Sequence, residues 1–221
     1  MKKKILIVFI ILLVLLLVAL GYKLFLLNKY KIEELSINPN TIFSETLVIS
    51  NQVDVTDIEI LKFEKLSFKN YFTGYEKHKK NPSISIKYDS EGVVASSYTI
   101  SKDTQYINMY DSLKDIDIEN DIDLLKYVKD NYLVRNNLFT SKNKMEKNYV
   151  MHSFVENCLS EFQNIVLIEG RLTGYIVNMS GSGIKEVRLL YNNEQYIISL
   201  NGEEITNNEF ITNLLETVKF D

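Results

Sequence analysis

The stretch "VRLLYNNEQYIISLNGEEITNNEFITNLLETVKF", residues 187–220, decides the fold class. Val187–Tyr191 and Gln195–Leu200 flank Asn192-Asn193, and asparagine tolerates the positive φ that a tight two-residue hairpin needs. With that turn Leu189 opposes Tyr196 and Val187 opposes Ile198, both pairs on one face, so the register is chemically sensible. Asn201-Gly202 ends the second strand. A helix is expected next, with Thr206 as N-cap and Glu209, three residues on, completing a capping box. Ile205 and Phe210 have the spacing of a hydrophobic staple, and Phe210, Leu214 and Val218 continue the apolar face.

Working outward, Ile165–Ile168 and Arg171–Met179 read as strands about Gly170, and "SGSG" (180–183) as the connection to the hairpin. Two helices are expected before them, over about 121–134 with Leu124, Leu125 and Val128 on one face, and over about 142–163. Ser83–Tyr88 and Val93–Ile100 alternate in polarity about "DSEG" (89–92), which is a second hairpin signature. "QYINMY" (105–110) reads as a further strand, and Leu47–Ile49 and Ile58–Phe68 as earlier ones. "GYEKHKKNP" (74–82) reads as a loop closed by Pro82, and Tyr30–Ser44 as a membrane-proximal connector. Strands, helices, strands, helix with short hairpin links give an α+β domain: an antiparallel sheet with helices packed on it. The expected organisation is 1–29 as cytoplasmic tip and transmembrane signal-anchor, 30–82 as connector and N-terminal strands, and 83–221 as the extracytoplasmic α+β domain.

Over about residues 83–220 this order resembles the Mog1/PsbP-like fold, in which a hairpin-rich sheet is followed by a terminal helix, as in "YIISLNGEEITNNEFITNLLETVKF". The resemblance is one of pattern, without a signature motif. It implies a scaffold that commonly binds other proteins and identifies no active site.

The N-terminus carries the strongest single signal. In "MKKKILIVFIILLVLLLVALGYKLFLL" the 18 residues from Ile5 to Tyr22 bear no charge. As a helix they span about 27 Å, near the hydrocarbon thickness of a bilayer. Lys23 can snorkel, so the membrane contact extends over residues 5–27. Lys2, Lys3 and Lys4 are expected to stay cytoplasmic, which places the following domain outside. The alternative is a cleaved signal peptide with Ala19-Leu20-Gly21 at the cleavage site and a secreted product, although a signal's apolar core is usually shorter.

Charge is unevenly distributed over the 221 residues. Five lysines and no acid precede residue 30, leaving 20 Lys+Arg against 29 Asp+Glu in the remainder, a net of −9. An acidic domain of that kind repels phosphate backbones, which sets nucleic acid aside as a partner. Lysine far outnumbers arginine, and asparagine, isoleucine and tyrosine are abundant, usage that resembles proteins of AT-rich bacterial genomes. The single cysteine, Cys158, forms no intrachain disulfide.

Three stretches invite a chemical reading. In "MHSFVENC" (151–158), Val150, Met151, Phe154, Val155, Cys158, Leu159 and Phe162 recur at helical spacing. They make a core-facing stripe with Cys158 buried in its middle. His152 is about 120° round the axis from Cys158, too far for a thiol–imidazole pair, and is expected on the surface beside Glu156. "DIDIENDID" (115–123) presents Asp115, Asp117, Glu119, Asp121 and Asp123 at alternate positions. It lacks the glycine and the terminal glutamate of an EF-hand, having Asn120 and Lys126 there instead. "EKHKK" (76–80), which includes His78, is a solvated basic loop. Asn178-Met179-Ser180 fits a glycosylation acceptor, which matters only in a eukaryotic secretory route. No residue is assigned as catalytic, cofactor-binding or metal-ligating, and no cofactor is expected.

The expectation is a membrane-anchored, non-enzymatic extracytoplasmic domain of the bacterial cell envelope that binds another envelope protein. The rival readings are an envelope hydrolase with a site assembled from scattered carboxylates, and a sensor of a small ligand or ion using 115–123 or 74–82.

Overall fold

A computed structural model describes residues 2–32, 39–44, 46–53, 59–105, 118–131 and 134–221. The first helix, α1 (Lys2–Lys29), is long and apolar enough to cross a membrane, a test that a signal sequence near the N-terminus can also pass. A four-residue turn of helix, α2 (Pro39–Ile42), follows.

The strands are β1 (Leu47–Ile49), β2 (Ile60–Phe63), β3 (Leu66–Lys69), β4 (Glu76–Lys77), β5 (Ile84–Tyr88), β6 (Val94–Thr104), β7 (Phe162–Gly170), β8 (Gly174–Met179), β9 (Ile184–Tyr191), β10 (Glu194–Asn201) and β11 (Lys219–Phe220). Helices α3 (Asp121–Asn131) and α4 (Lys142–Asn157) lie between β6 and β7, and α5 (Glu203–Thr206) and α6 (Asn208–Thr217) between β10 and β11. Eight strands form one sheet in the order β1-β7-β8-β9-β10-β6-β5-β4, and β11-β3-β2 form a small second sheet. All pairs are antiparallel except β1 with β7. The domain is α+β, as expected.

The β9–β10 hairpin has the register read from the sequence: Leu189 opposite Tyr196 and Val187 opposite Ile198, with Asn192 and Asn193 at φ 49° and 64°. Those four apolar side chains face α6, together with Ile198's neighbour Leu200, and with Leu66 and Phe68 of the small sheet. The opposite face of the main sheet packs Ile165, Leu167, Tyr175 and Val177 against Leu124, Leu125 and Val128 of α3 and Met151, Phe154 and Val155 of α4. Helices on one side and a helix plus a small sheet on the other give three layers.

Several boundaries differ from expectation. The run 58–68 is not one strand: Glu64 adopts φ 51°, a turn conformation, and folds it into the β2–β3 hairpin with Phe63 opposite Leu66. The basic loop 74–82 contributes the two-residue edge strand β4. The helix expected to 163 ends at Asn157, because a 3-10 turn at Leu159–Glu161 redirects the chain into β7. The strand expected at 105–110 lies outside the described residues except for Gln105, which follows the end of β6, and the helix expected to 134 is described to Asn131.

The terminal helix begins one residue later than expected. Asn207, not Thr206, is the N-cap: its Oδ1 accepts from Phe210 N at 2.8 Å. Thr206 instead closes α5, whose first turn starts at Gly202 and takes up the residues meant to precede a single helix. Glu209 therefore sits at the second helical position and completes no capping box. The far end of α6 is held by Arg171, which donates to the carbonyls of Val218, Leu215 and Glu216 at 2.6, 3.0 and 3.3 Å. A guanidinium there also suits the negative end of the helix dipole.

The segment before residue 82 carries strands, as expected, and they are stitched into the rest. β1 extends the main sheet beside β7, where Gly170 (φ 102°) lets the backbone of Ile49 approach more closely than a Cβ would permit. β3 pairs with the last strand of the chain. The end of α1 is also part of the domain. Leu26 and Tyr30 are buried against Met145 of α4, and Asn136 donates to the carbonyls of both Tyr30 and Met145.

Candidate functional site

A concavity of about 850 Å³ opens on the α6 face at the β1 end of the sheet. Its floor is apolar, made by Val166 of β7, Ile176 of β8 and Ile211 of α6. One wall is the start of α6 (Asn208, Thr212), and the other is the chain leading into β1 (Phe43, Ser44, Thr46, Leu47). Asn164, Asn178, Lys185 and Lys129 complete it, and none of the described lining residues is acidic. Among the described residues the groove is positive and rich in amides and hydroxyls, on a domain whose net charge is negative.

Both lysines are held by uncharged partners. Lys185 Nζ donates to Asn208 Oδ1 at 3.2 Å, and burial lowers its pKa. Lys129 lies over the Phe43 ring at 5.7 Å from its centroid. A partly desolvated ammonium facing only an amide gains from a carboxylate or other anion brought into the groove.

A second constellation joins Tyr75, Lys87, Ser96 and Glu204. Ser96 Oγ and Tyr75 Oη are 2.5 Å apart, and Glu204 Oε1 accepts from both at 2.8 and 3.0 Å. Lys87 Nζ bonds both carboxylate oxygens of Glu204 at 3.0 Å. Burial pushes the Tyr75 phenol up to about 12, so it holds its proton, while the bonds from Ser96 and Lys87 lower the pKa of Glu204. Ser96 is fully buried. A protonated phenol, an ionised carboxylate and an enclosed hydroxyl provide no base beside an accessible nucleophile. They tie α5 to β5, β6 and the loop before β4.

A third group is wholly internal. Asp121 Oδ2 accepts from Gln195 Nε2 at 2.8 Å and from Tyr175 Oη at 3.3 Å, and Gln105 Oε1 accepts from Asp121 N at 3.2 Å. Arg188 bonds Gln195 Oε1 at 3.5 Å and pairs with Glu186 at 2.6 and 2.9 Å. With Asp121, Gln195 and Gln105 buried, the network pins the first turn of α3 to β8, β9 and β10.

The residues singled out in the sequence are scattered. Cys158 is half-buried, not enclosed, because α4 ends just before it and it serves as the C-cap, its N–H donating to Phe154 O at 2.9 Å. His152 is buried rather than on the surface: the chain after α3 crosses that side of α4 and brings Arg135 Nη1 to 3.2 Å from Nε2. Of 115–123, Asp115 and Asp117 lie outside the described residues. Asp121 points into the core, whereas Asp123 Oδ2 turns back to Glu119 N and Asn120 Nδ2 at 3.2 and 3.0 Å, so these two carboxyls do not converge. His78 sits in the β4–β5 turn, where its Nδ1 accepts from Asn81 N. Asn178 lines the groove from β8.

Sequence reasoning did not find the groove. Its residues come from six separate stretches, and its lysines belong to no motif. No family model matches the chain, and no curated protein is significantly similar to it.

Proposed function

We propose that the chain is a membrane-anchored, extracytoplasmic domain of the bacterial cell envelope. It acts without catalysis, by binding an acidic segment of another envelope protein in the groove between β1 and α6. The observation that carries this reading is the groove itself, with two lysines lacking acidic partners among the described residues and polar amides around an apolar floor. Apolar floors with a few placed polar groups are what recognition sites share. Charge opposite to that of the surrounding surface selects for an anionic partner. The apolar α1 supports membrane attachment, and Lys2–Lys4 at its start support an N-in, C-out topology. The pattern resemblance to the Mog1/PsbP-like scaffold points the same way.

A photo-crosslinking residue at Thr212, inside the groove, tests the reading in intact cells, with Glu91 in the exposed β5–β6 turn as control. The expected result is a discrete protein adduct from Thr212 that is absent from Glu91 and lost on Lys185→Glu. Equal adducts from both positions, adducts indifferent to Lys185→Glu, or no protein adduct from the groove would overturn it. In the last case, a rise in thermal stability with small anionic metabolites would make the chain a small-ligand sensor.

A further inference from the structure

The turn between α3 and α4 exposes apolar surface that the fold does not use. Phe139 is 96% exposed and Leu138 42%, within a turn that is itself firmly built: Asn137 Oδ1 accepts from the amides of Phe139 and Thr140. Contiguous apolar surface projecting from a rigid support marks a protein or membrane interaction site.

The position of this turn says what the occupant is. Lys23 Nζ donates to Thr140 O at 2.8 Å, so the residue after Phe139 lies at the height of Lys23 on α1. Lys23 is the first charge after the 18-residue uncharged run, which is where a spanning helix leaves the hydrocarbon. Leu24 and Phe25, just beyond it, are exposed as well, at 54% and 61%. The clamp of Leu26 and Tyr30 on Met145 prevents the domain from swinging away on a linker.

Charge at the same place agrees. Lys142 and Lys144 occupy the first turn of α4, which contains no acid. Lysines at the positive end of a helix dipole are unfavourable unless anions lie against them. Lipid phosphates supply such anions.

We propose that Leu138 and Phe139 insert into the interfacial zone of the outer leaflet, with Lys142 and Lys144 against its phosphates, so that the domain is docked on the bilayer at a second point besides α1. The inference rests on the reading of α1 as a retained span, and the test separates the two. The full chain, in a Cys158→Ser background, is reconstituted in vesicles of phosphatidylcholine and phosphatidylglycerol. An environment-sensitive fluorophore is placed at Phe139→Cys, at Leu13→Cys in mid-span, or at Glu91→Cys on the distal hairpin. The expected result is a blue-shifted Phe139 emission quenched by lipids spin-labelled near the headgroup, a Leu13 emission quenched by deep labels, and an aqueous Glu91 emission. Lys142→Glu with Lys144→Glu should reduce the Phe139 quenching. An aqueous Phe139 with a deeply quenched Leu13 overturns the docking and leaves the span intact. A Leu13 that no lipid label quenches overturns the span and the docking with it. A blue-shifted Phe139 indifferent to lipid quenchers shows a protein occupant and overturns the lipid assignment.

Discussion

The two faces of the eight-stranded sheet pack by different means. Toward α6, neighbouring strands present Val187, Leu189, Tyr196 and Ile198, and the covering helix is fixed at its ends by the Asn207 side chain and by Arg171. Toward α3, the alternate residues of β8, β9 and β10 are Tyr175, Arg188 and Gln195, and these meet Asp121 in the covering helix itself. Apolar contact rewards burial but tolerates sliding, since hydrophobic surfaces of the right size repack at small cost. A hydrogen-bonded carboxyl admits few positions. Both faces carry a large apolar core, and on the α3 side the polar network additionally specifies where α3 sits.

The contrast can be broken by one substitution on each side. Leu214→Ala removes a fully buried side chain from the α6 face and should cost about 2–5 kcal/mol of global stability. Asp121→Ala removes the buried carboxylate that accepts from Gln195 Nε2 and Tyr175 Oη and should cost less, about 1–3 kcal/mol. Its signature should be local: hydrogen exchange in α3 accelerates well beyond what the global loss explains. Urea denaturation in mild detergent gives the first quantity and amide exchange the second. A uniform rise in exchange across both faces after Asp121→Ala would mean that the network contributes stability only.

The α4 side carries a pH dependence of its own near neutrality. Burial, and then the Arg135 charge, lower the pKa of His152 below its ordinary 6.5. The unfolded chain then takes up a proton more readily than the folded one. The associated stability is fully present above 6.5 and is lost as pH falls from there through the depressed folded value. His152→Gln should flatten the stability profile in that window. The acid-side losses from Glu194 and Glu204, whose pKa values are lowered from 4.5, should remain at lower pH. An unchanged slope between neutral pH and about pH 5 in His152→Gln would show that other groups titrate there.

How far the fold is legible follows the turn chemistry. The β9–β10 and β5–β6 hairpins are announced by Asn192-Asn193 and by "DSEG", whose residues have the conformational freedom the turns need. The β2–β3 turn is built on Glu64 at positive φ, a residue that carries no such announcement, so two strands read as one. Burial is legible where one stripe faces one layer and fails where a distant segment covers a second side, as the residues around Arg135 do for His152. The groove and the Asp121 network escape a sequence reading for a related reason. Tyr175 and Gln195 are 54 and 74 residues from Asp121, and only the tertiary fold brings the three together.

The smallest effect tests the start of α6 and closes the comparison of its ends. Asn207→Ala removes the side-chain acceptor of the Phe210 amide and should cost about 1 kcal/mol. Thr206→Ala, one residue earlier, should stay within about 0.5 kcal/mol, because the N-cap bond does not involve it. Asn207→Asp should keep most of the stability, since aspartate also accepts from the third helical amide and its charge suits the N-terminal end of the dipole. The three variants share a background and differ only at the cap, so shifts in denaturation midpoint compare directly. A larger loss from Thr206→Ala than from Asn207→Ala would return the cap to Thr206 and restore Glu209 as its capping-box partner. It would also place Asn207, the one residue that now separates α5 from α6, inside a single helix entry, and that entry forms one wall of the groove.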